Sequence, residues 1–305
     1  MINARYLNKE RGLLTSWTKA ELEDLRDLEA FLIKQEEYCV GFSAWLREKI
    51  SATPHLRDFL IFIKRQKDHA SGPEAISEAI LITEQGLVYP VLHWMGDSLP
   101  HGYRELALRL QPLRQNLNSL IGPEPAVNMT EKLINMPLRA SVDYYLMLCP
   151  LKNAIADITC PKDIKIRQAS VADALTLFDL QKSYELEEVY LNPQQFNDTA
   201  CYAYLKTCLR KEIVFVAERN GRPIAKAGTN ARGYQVWQIG GVFTTPSERG
   251  KGLATLLMKT LLNYLHMNKK RAVLFVKKNN EPAIKLYKNL GFKIIADFKI
   301  SYLQK

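Results

Sequence analysis

The sequence predicts an α/β protein, more exactly an α+β mixed sheet, arranged as two domains. Two observations lead there. A chain of 305 residues with 47% hydrophobic residues can fill two cores of ordinary size. From residue 164 onward, short apolar runs alternate with amphipathic stretches, the rhythm of strands and helices sharing one sheet. The expected division is residues 1–160, an N-terminal α/β domain of unknown role, and residues 161–305, with Pro150 to Pro161 as a linker. No internal repeat of solenoid period is present.

In the first part, Thr18 to Lys49 reads as helix. Thr18 and Glu21 have capping-box spacing, Leu22, Leu25, Leu28 and Leu32 share a face, and a break is expected at Cys39-Val40-Gly41. Ala79 to Ile82 and Leu87 to Leu92 flank Glu84-Gln85-Gly86 as a hairpin, with Pro90 placing its second strand near an edge or bulge. A helix from Tyr103 to Leu117 and a strand from Tyr144 to Leu148 complete this part, which carries no catalytic signature.

The second part opens with a strand at Ile164 to Arg167. Ser170-x-x-Asp173 starts a helix reaching Ser183, and a second helix covers Gln194 to Leu209. Ile213 to Glu218 and Ile224 to Thr229 form a hairpin around Asn220-Gly221-Arg222-Pro223, and Val236 to Thr244 is a third strand. Helices at Gly252 to Met267 and Pro282 to Leu290 alternate with strands at Ala272 to Val276, Phe292 to Ala296 and Phe298 to Leu303. The order is β-α-α-β-β-β-α-β-α-β-β.

Charge and cysteine usage bound the function. Residues 161–305 hold 24 Lys/Arg against 12 Asp/Glu, a net of +12, whereas the rest holds 18 against 20. Such asymmetry suits an anionic partner: nucleic acid, a membrane surface or a phosphorylated cofactor. The N-terminus lacks the charged and apolar stretches of a signal peptide, and no apolar run nears the roughly 18 residues a bilayer requires. Five widely spaced cysteines without Cys-x-x-Cys pairs predict a reducing cytoplasm and no bound metal.

The sharpest feature is Arg249-Gly250-Lys251-Gly252-Leu253-Ala254, between an apolar strand and an amphipathic helix. Glycines let bare backbone approach a ligand, and a helix's unpaired first-turn amides with its positive dipole end attract an anion such as pyrophosphate. A P-loop would need Gly-x-x-x-x-Gly-Lys-Ser/Thr, and a dinucleotide fold a third glycine with a later acid; neither is present. A glycine-rich turn with a solvated basic patch is the structural alternative.

These residues resemble the GNAT superfamily of N-acetyltransferases, whose signature Arg/Gln-x-x-Gly-x-Gly/Ala is met by Arg249, Gly252 and Ala254. Asn280 to Phe292 is similar to the family's Asn-x-x-Ala-x-x-x-Tyr-x-x-x-Gly-Phe block, with Asn280, Ala283, Tyr287, Gly291 and Phe292 in place. The resemblance covers about 140 residues at the C-terminus. The first half, through its hairpin and Leu120 to Val127, is similar to an uncharacterised domain preceding some bacterial GNAT modules, itself expected to be a degenerate GNAT-like fold.

The resemblance implies acetyl-CoA as cosubstrate, a primary amine as acceptor, direct attack in a ternary complex, and no metal. It assigns Val242, Phe243 and Thr244 to the pantetheine arm, which adds like a strand, with an amide at Val242 or Phe243 polarising the thioester carbonyl. Residues 249 to 254 would hold the pyrophosphate, Asn280 and Ala283 the cofactor arm, and Tyr287 would protonate the departing thiolate. By spacing alone Tyr287 is equally a packing residue and Asn280 a helix cap. Glu187 and Glu188 are the candidate general bases, a solvated helix end being the alternative. Tyr184, Tyr190, Tyr202, Tyr204, Tyr234 and Trp237 are candidates for the acceptor wall. A non-catalytic acyl-CoA-binding module and, third, a nucleic-acid-binding protein are the competing functions.

Overall fold

A computed structural model describes residues 17–51, 60–67, 74–93, 101–150 and 160–304. Most of the expected linker, 151–159, lies outside the described residues. Two compact units emerge: Met1–Tyr145 with Ala296–Lys305, and Leu146–Ile295. Among the described residues no helix is long and apolar enough to cross a membrane, and all five cysteines are free thiols.

The first unit runs β1 (Trp17–Lys19), α1 (Leu25–Ile33), α2 (Glu36–Ser51), β2 (Leu60–Lys67), β3 (Glu74–Ile82), β4 (Leu87–Val91), α3 (His101–Leu110), β5 (Ser119–Pro123), α4 (Glu124–Ile134) and β6 (Leu138–Cys149), the last to Tyr145. Alternation along β2 builds two cores. Ile61 and Ile63 pack with Leu28, Leu32, Phe42 and Leu46 of α1 and α2, while Phe62 joins Tyr103, Leu106, Leu110 and Val127 of α3 and α4.

The expected helix from Thr18 is corrected here. Trp17 is completely buried, so the chain enters as a strand paired with β2. The capping box forms three residues later, where Asp24 Oδ2 accepts from the Glu21 amide at 2.7 Å. Leu22, expected on the core face, is exposed. The break at Cys39 is real, with φ −139° and ψ 31°. The hairpin of β3 and β4 forms, but the expected helix to Leu117 ends at Leu110 and continues as a 3-10 turn, Gln111–Asn116. Strands β2 and β5 and helix α4 are additional to the sequence reading.

The second unit contains β7 (Ile164–Gln168), α5 (Phe178–Tyr184), α6 (Asp198–Lys211), β8 (Val214–Arg219), β9 (Arg222–Arg232), β10 (Val236–Thr244), α7 (Leu253–Met267), β11 (Arg271–Lys277) and α8 (Glu281–Asn289). Ser170 and Asp173 form the expected capping box. Asn220 (φ 52°) and Gly221 (φ 74°) make the tight turn of the β8–β9 hairpin. The strands lie in the order β11-β10-β9-β8-β7, with β10–β11 parallel and the other pairs antiparallel. Val214, Val216 and Phe243 face α5 and α6, whereas Phe215 meets Tyr264 of α7 at 5.8 Å on the opposite side. The two expected terminal strands are one, β12 (Lys293–Leu303), because neither glycine nor proline interrupts it.

Candidate active site

The site begins where β10 leaves its neighbours. Its parallel register with β11 covers only Val236 to Gln238, opposite Arg271 to Val273. Against β9 a bulge falls between Gly240 and Phe243, with Gly241 at φ 60°. A bulge bends its strand and redirects backbone groups out of the ladder. Gly241 to Thr244 are therefore set apart from β11, as an extended ligand laid along β10 requires. The Thr244 hydroxyl is buried and has no hydrogen-bond partner.

Beyond β10, Pro246–Glu248 form a 3-10 turn and the chain enters α7 through Gly250 (φ 77°) and Gly252 (φ 78°), the latter at the N-cap. No atom lies within 4 Å of where a Cβ would sit on either glycine. Both glycines thus take a left-handed conformation and leave open space before the amides of Leu253 and Ala254. Seven apolar residues from Leu253 to Leu265 recur at helical spacing and pin α7 to the sheet. Lys251 lies 3.2 Å from Glu248, which also accepts from Arg219. Arg249 donates to the Thr244 carbonyl at 3.1 Å and, through Nη2, to both carboxylate oxygens of Glu187 at 2.7 Å.

A second cluster gathers at the start of α8. Asn280 caps the helix, its Oδ1 accepting from the Ala283 amide at 3.2 Å, and its Nδ2 donates to Glu188 at 3.5 Å. Glu188 also pairs with Lys277 at 3.1 Å. Tyr287, one turn and a half further on, is buried, with its ring 5.8 Å from Phe292. Burial, aided by Tyr184 and the Glu188 charge, pushes its phenol far above the ordinary range, so it stays protonated. Burial first, then Glu188, likewise raises Tyr184 to about 12, against a backbone hydrogen bond from Gly241 that lowers it.

Glu187, Glu188, Arg249, Asn280 and Tyr287 are thus linked to the two clusters, and Tyr184 joins them. Of the remaining aromatics, Tyr202 packs on Phe178 and Tyr190 on Phe196, while Trp237 lies at the far end of β10 beside Arg232 and Lys270. Sequence reasoning passed over Lys226, buried on β9 with its ammonium 4.4 Å from the Tyr184 ring. Its signal was a lysine inside the apolar run Ile224-Ala225-Lys226-Ala227-Gly228.

Along the chain the order β-α-α-β-β-β-α-β-α-β occurs twice, from β1 to β6 and from β7 to β12, and each series contains a parallel pair, β4–β5 in the first and β10–β11 in the second. Glu-Pro-Ala opens α4 as it opens α8. Counting from there, the place of Asn280 is taken by Pro123 and that of Tyr287 by Thr130, which bonds its own helix at the Ala126 carbonyl. The segment 92–102 contains no Lys or Arg. The first unit repeats the scaffold without these groups.

A sheet that parts beside a bulge is followed by a helix entered through two left-handed glycines. Residues 177–292 match the profile of the Acetyltransferase (GNAT) family, so this stretch of the chain is GNAT-like. An uncharacterized N-acetyltransferase of Methanocaldococcus jannaschii is 34% identical over 99 residues, 30% of this chain and 44% of that protein, so the chain spans less than half of that relative. Solved structures extend the likeness in fold. A Drosophila protein has a TM-score of 0.70 at 14% identity, over 94% of this chain and 98% of that one. A tandem GNAT protein from the clavulanic acid biosynthesis pathway has a TM-score of 0.57 at 12% identity, over 94% and 97%. The fold is therefore a two-domain, GNAT-like α/β fold, the N-terminal part included.

Proposed function

We propose that the protein is an N-acetyltransferase that transfers an acetyl group from acetyl-CoA to a primary amine by direct attack within a ternary complex. One observation carries this reading: the glycine-opened start of α7 and the buried, protonated Tyr287 are joined by one strand and one acidic turn. The residues suit the cofactor. Open left-handed glycines and first-turn amides fit a pyrophosphate, and the unpartnered Thr244 hydroxyl fits a polar arm laid along β10. Acetyl-CoA supplies the activated acyl group.

Residues 249 to 254 hold the anion, with Arg249 and Lys251 adding charge. Val242 or Phe243 presents an amide to the carbonyl, and Asn280 and Ala283 position the arm. Tyr287 holds the proton that the thiol needs, because its phenol stays neutral across the working pH range. Glu188 is the better-placed carboxylate for deprotonating the acceptor, since Glu187 is committed to Arg249. A cytoplasmic setting is part of this proposal, the five cysteines being free thiols.

Thiol release from acetyl-CoA over an amine panel tests the reading. Gly252→Asp should abolish CoA binding, since it places a carboxylate at the anion site, whereas Gly252→Asn, which bears the same left-handed strain at φ 78° without the charge, should keep more of the affinity. Unaltered CoA affinity in Gly252→Asp would falsify the cradle. Binding without thiol release would instead leave an acyl-CoA-binding module.

A further inference from the structure

Lys226 is buried beside the reaction centre and has no part in the chemistry above. On β9 it stands in register between Val216 of β8 and Phe243 of β10, on the face covered by α5 and α6. Its Nζ lies 3.0 Å from where a Cβ on Gly241 would sit, so the missing side chain at the bulge is what admits the ammonium. The charge therefore points at the stretch of β10 assigned to the thioester.

Among the described residues the groups facing it compensate the charge only in part. Tyr184 offers a ring face at 4.4 Å and no anion. Glu185 is buried and accepts from Gln181 Nε2 at 2.7 Å and from the Cys201 thiol. Cys201 and Cys208, on α6, have thiols raised by burial and are neutral at physiological pH. Among the described residues no carboxylate forms an ion pair with Lys226. Burial lowers the ammonium to about 8, with Cys208, Glu185 and Cys201 opposing only in part. A buried ammonium without an ion-pair partner is unfavourable unless something brings one.

We infer that Lys226 receives the carboxylate of the acceptor, and that the acceptor is an amine bearing a carboxylate on the adjoining carbon, a free amino acid. This rests on the transferase reading. Because the ammonium abuts Gly241, next to the amides assigned to the thioester carbonyl, the anion and the attacking nitrogen must belong to neighbouring atoms of one small molecule. An amine whose negative group lies several bonds away would place one or the other out of reach.

The experiment is a calorimetric titration of the CoA-loaded full chain with L-amino acids and with their carboxamides, run beside thiol release. Acids should bind at least about tenfold more tightly than amides, the difference a charge-assisted hydrogen bond provides. Lys226→Met should erase the preference while Lys226→Arg keeps part of it. Equal binding of the two series by the unmodified protein, a preference surviving in Lys226→Met, or binding of neither series would overturn the assignment. The acid–amide contrast needs no variant, so it holds even if Lys226→Met folds poorly. Acids that bind without releasing thiol would support Lys226 and defeat the transferase reading; amides releasing thiol as fast as acids would do the reverse.

Discussion

Tyr287 and Lys226 are buried polar groups on one side of a sheet, and burial prepares them differently. Tyr287 is kept neutral, which is the state a proton donor needs. Tyr287→Phe should lower kcat by roughly 10²–10⁴-fold with CoA affinity unchanged, as read by steady-state kinetics and calorimetry; an unchanged kcat would return Tyr287 to a packing role. Lys226 is lowered from 10.5 to about 8. Between those values the unfolded chain binds more protons than the folded one, so stability should rise with pH through that window and be flat below it. The gain is on the order of 3 kcal/mol at most. Tyr184 and Cys201, raised to about 12 in the fold, lose their protons near 10.0 and 9.0 in the unfolded chain and so oppose the Lys226 rise in the upper part of the window. Urea unfolding should be read as a difference: Lys226→Met should be the more stable form near neutrality, and its advantage over the unmodified protein should shrink as pH rises from about 8 to 10.5. Tyr287 was legible in the sequence because its spacing from Asn280 and Gly291 follows a pattern. Lys226 was not, because a lone lysine in an apolar strand shows a burial problem without showing what surrounds it.

The segment after α5 organises the site as an element. Residues Glu185–Val189 form a wide π turn rather than the plain helix end read from sequence. That turn projects three carboxylates to four different partners: Glu185 to Gln181, Glu187 to Arg249, and Glu188 to Lys277 and Asn280. A run of acids looked like a solvated end because the partners of Glu187 and Glu188 at Arg249 and Asn280 lie 62 and 92 residues away along the chain. The Glu187–Arg249 pair is half-exposed, so its strength is modest, about 0–1 kcal/mol. It nevertheless holds the guanidinium that a pyrophosphate would use. Glu187→Gln should therefore tighten CoA binding by a few-fold at low ionic strength, with the gain shrinking in salt. A weaker or unchanged affinity in calorimetry would mean that Arg249 takes no part in holding the cofactor. The helix α7, in contrast, was readable almost to the residue, since its leucines repeat at helical spacing and two glycines mark its start.

At the scale of the whole molecule, the chain order and the compact units differ. The boundary placed after residue 160 supposes contiguous domains, a proposal that expressing the pieces would test. The ten residues Ala296–Lys305 belong with the first unit. Phe298 to Tyr302 pair in antiparallel register with Pro123 to Ser119 of β5, and Leu303 is buried in the core that holds Leu117, Leu120 and Val127. Ser301, fully buried, donates to Glu131 at 2.5 Å, and Lys299 meets both Glu131 and Asn128 at 2.9 Å. Local patterning identified a strand at the terminus but not its neighbour, because strand pairing between residues 120 and 301 leaves no periodic trace in either segment. Removing residues 296–305 would strip β5 of this partner, leave Glu131 without Lys299 and Ser301, and open a void where Leu303 sits. Losses of about 2–5 kcal/mol accompany removal of one large core side chain, against a total stability of roughly 5–15 kcal/mol. A chain ending at Ile295 should therefore lose the cooperative unfolding of its first unit, and residues 1–160 expressed alone should fail to fold. Addition of a peptide spanning 293–305 should restore amide-exchange protection in β5 and α4; a fragment 1–160 already protected there without the peptide would show that the N-terminal half folds without the last strand.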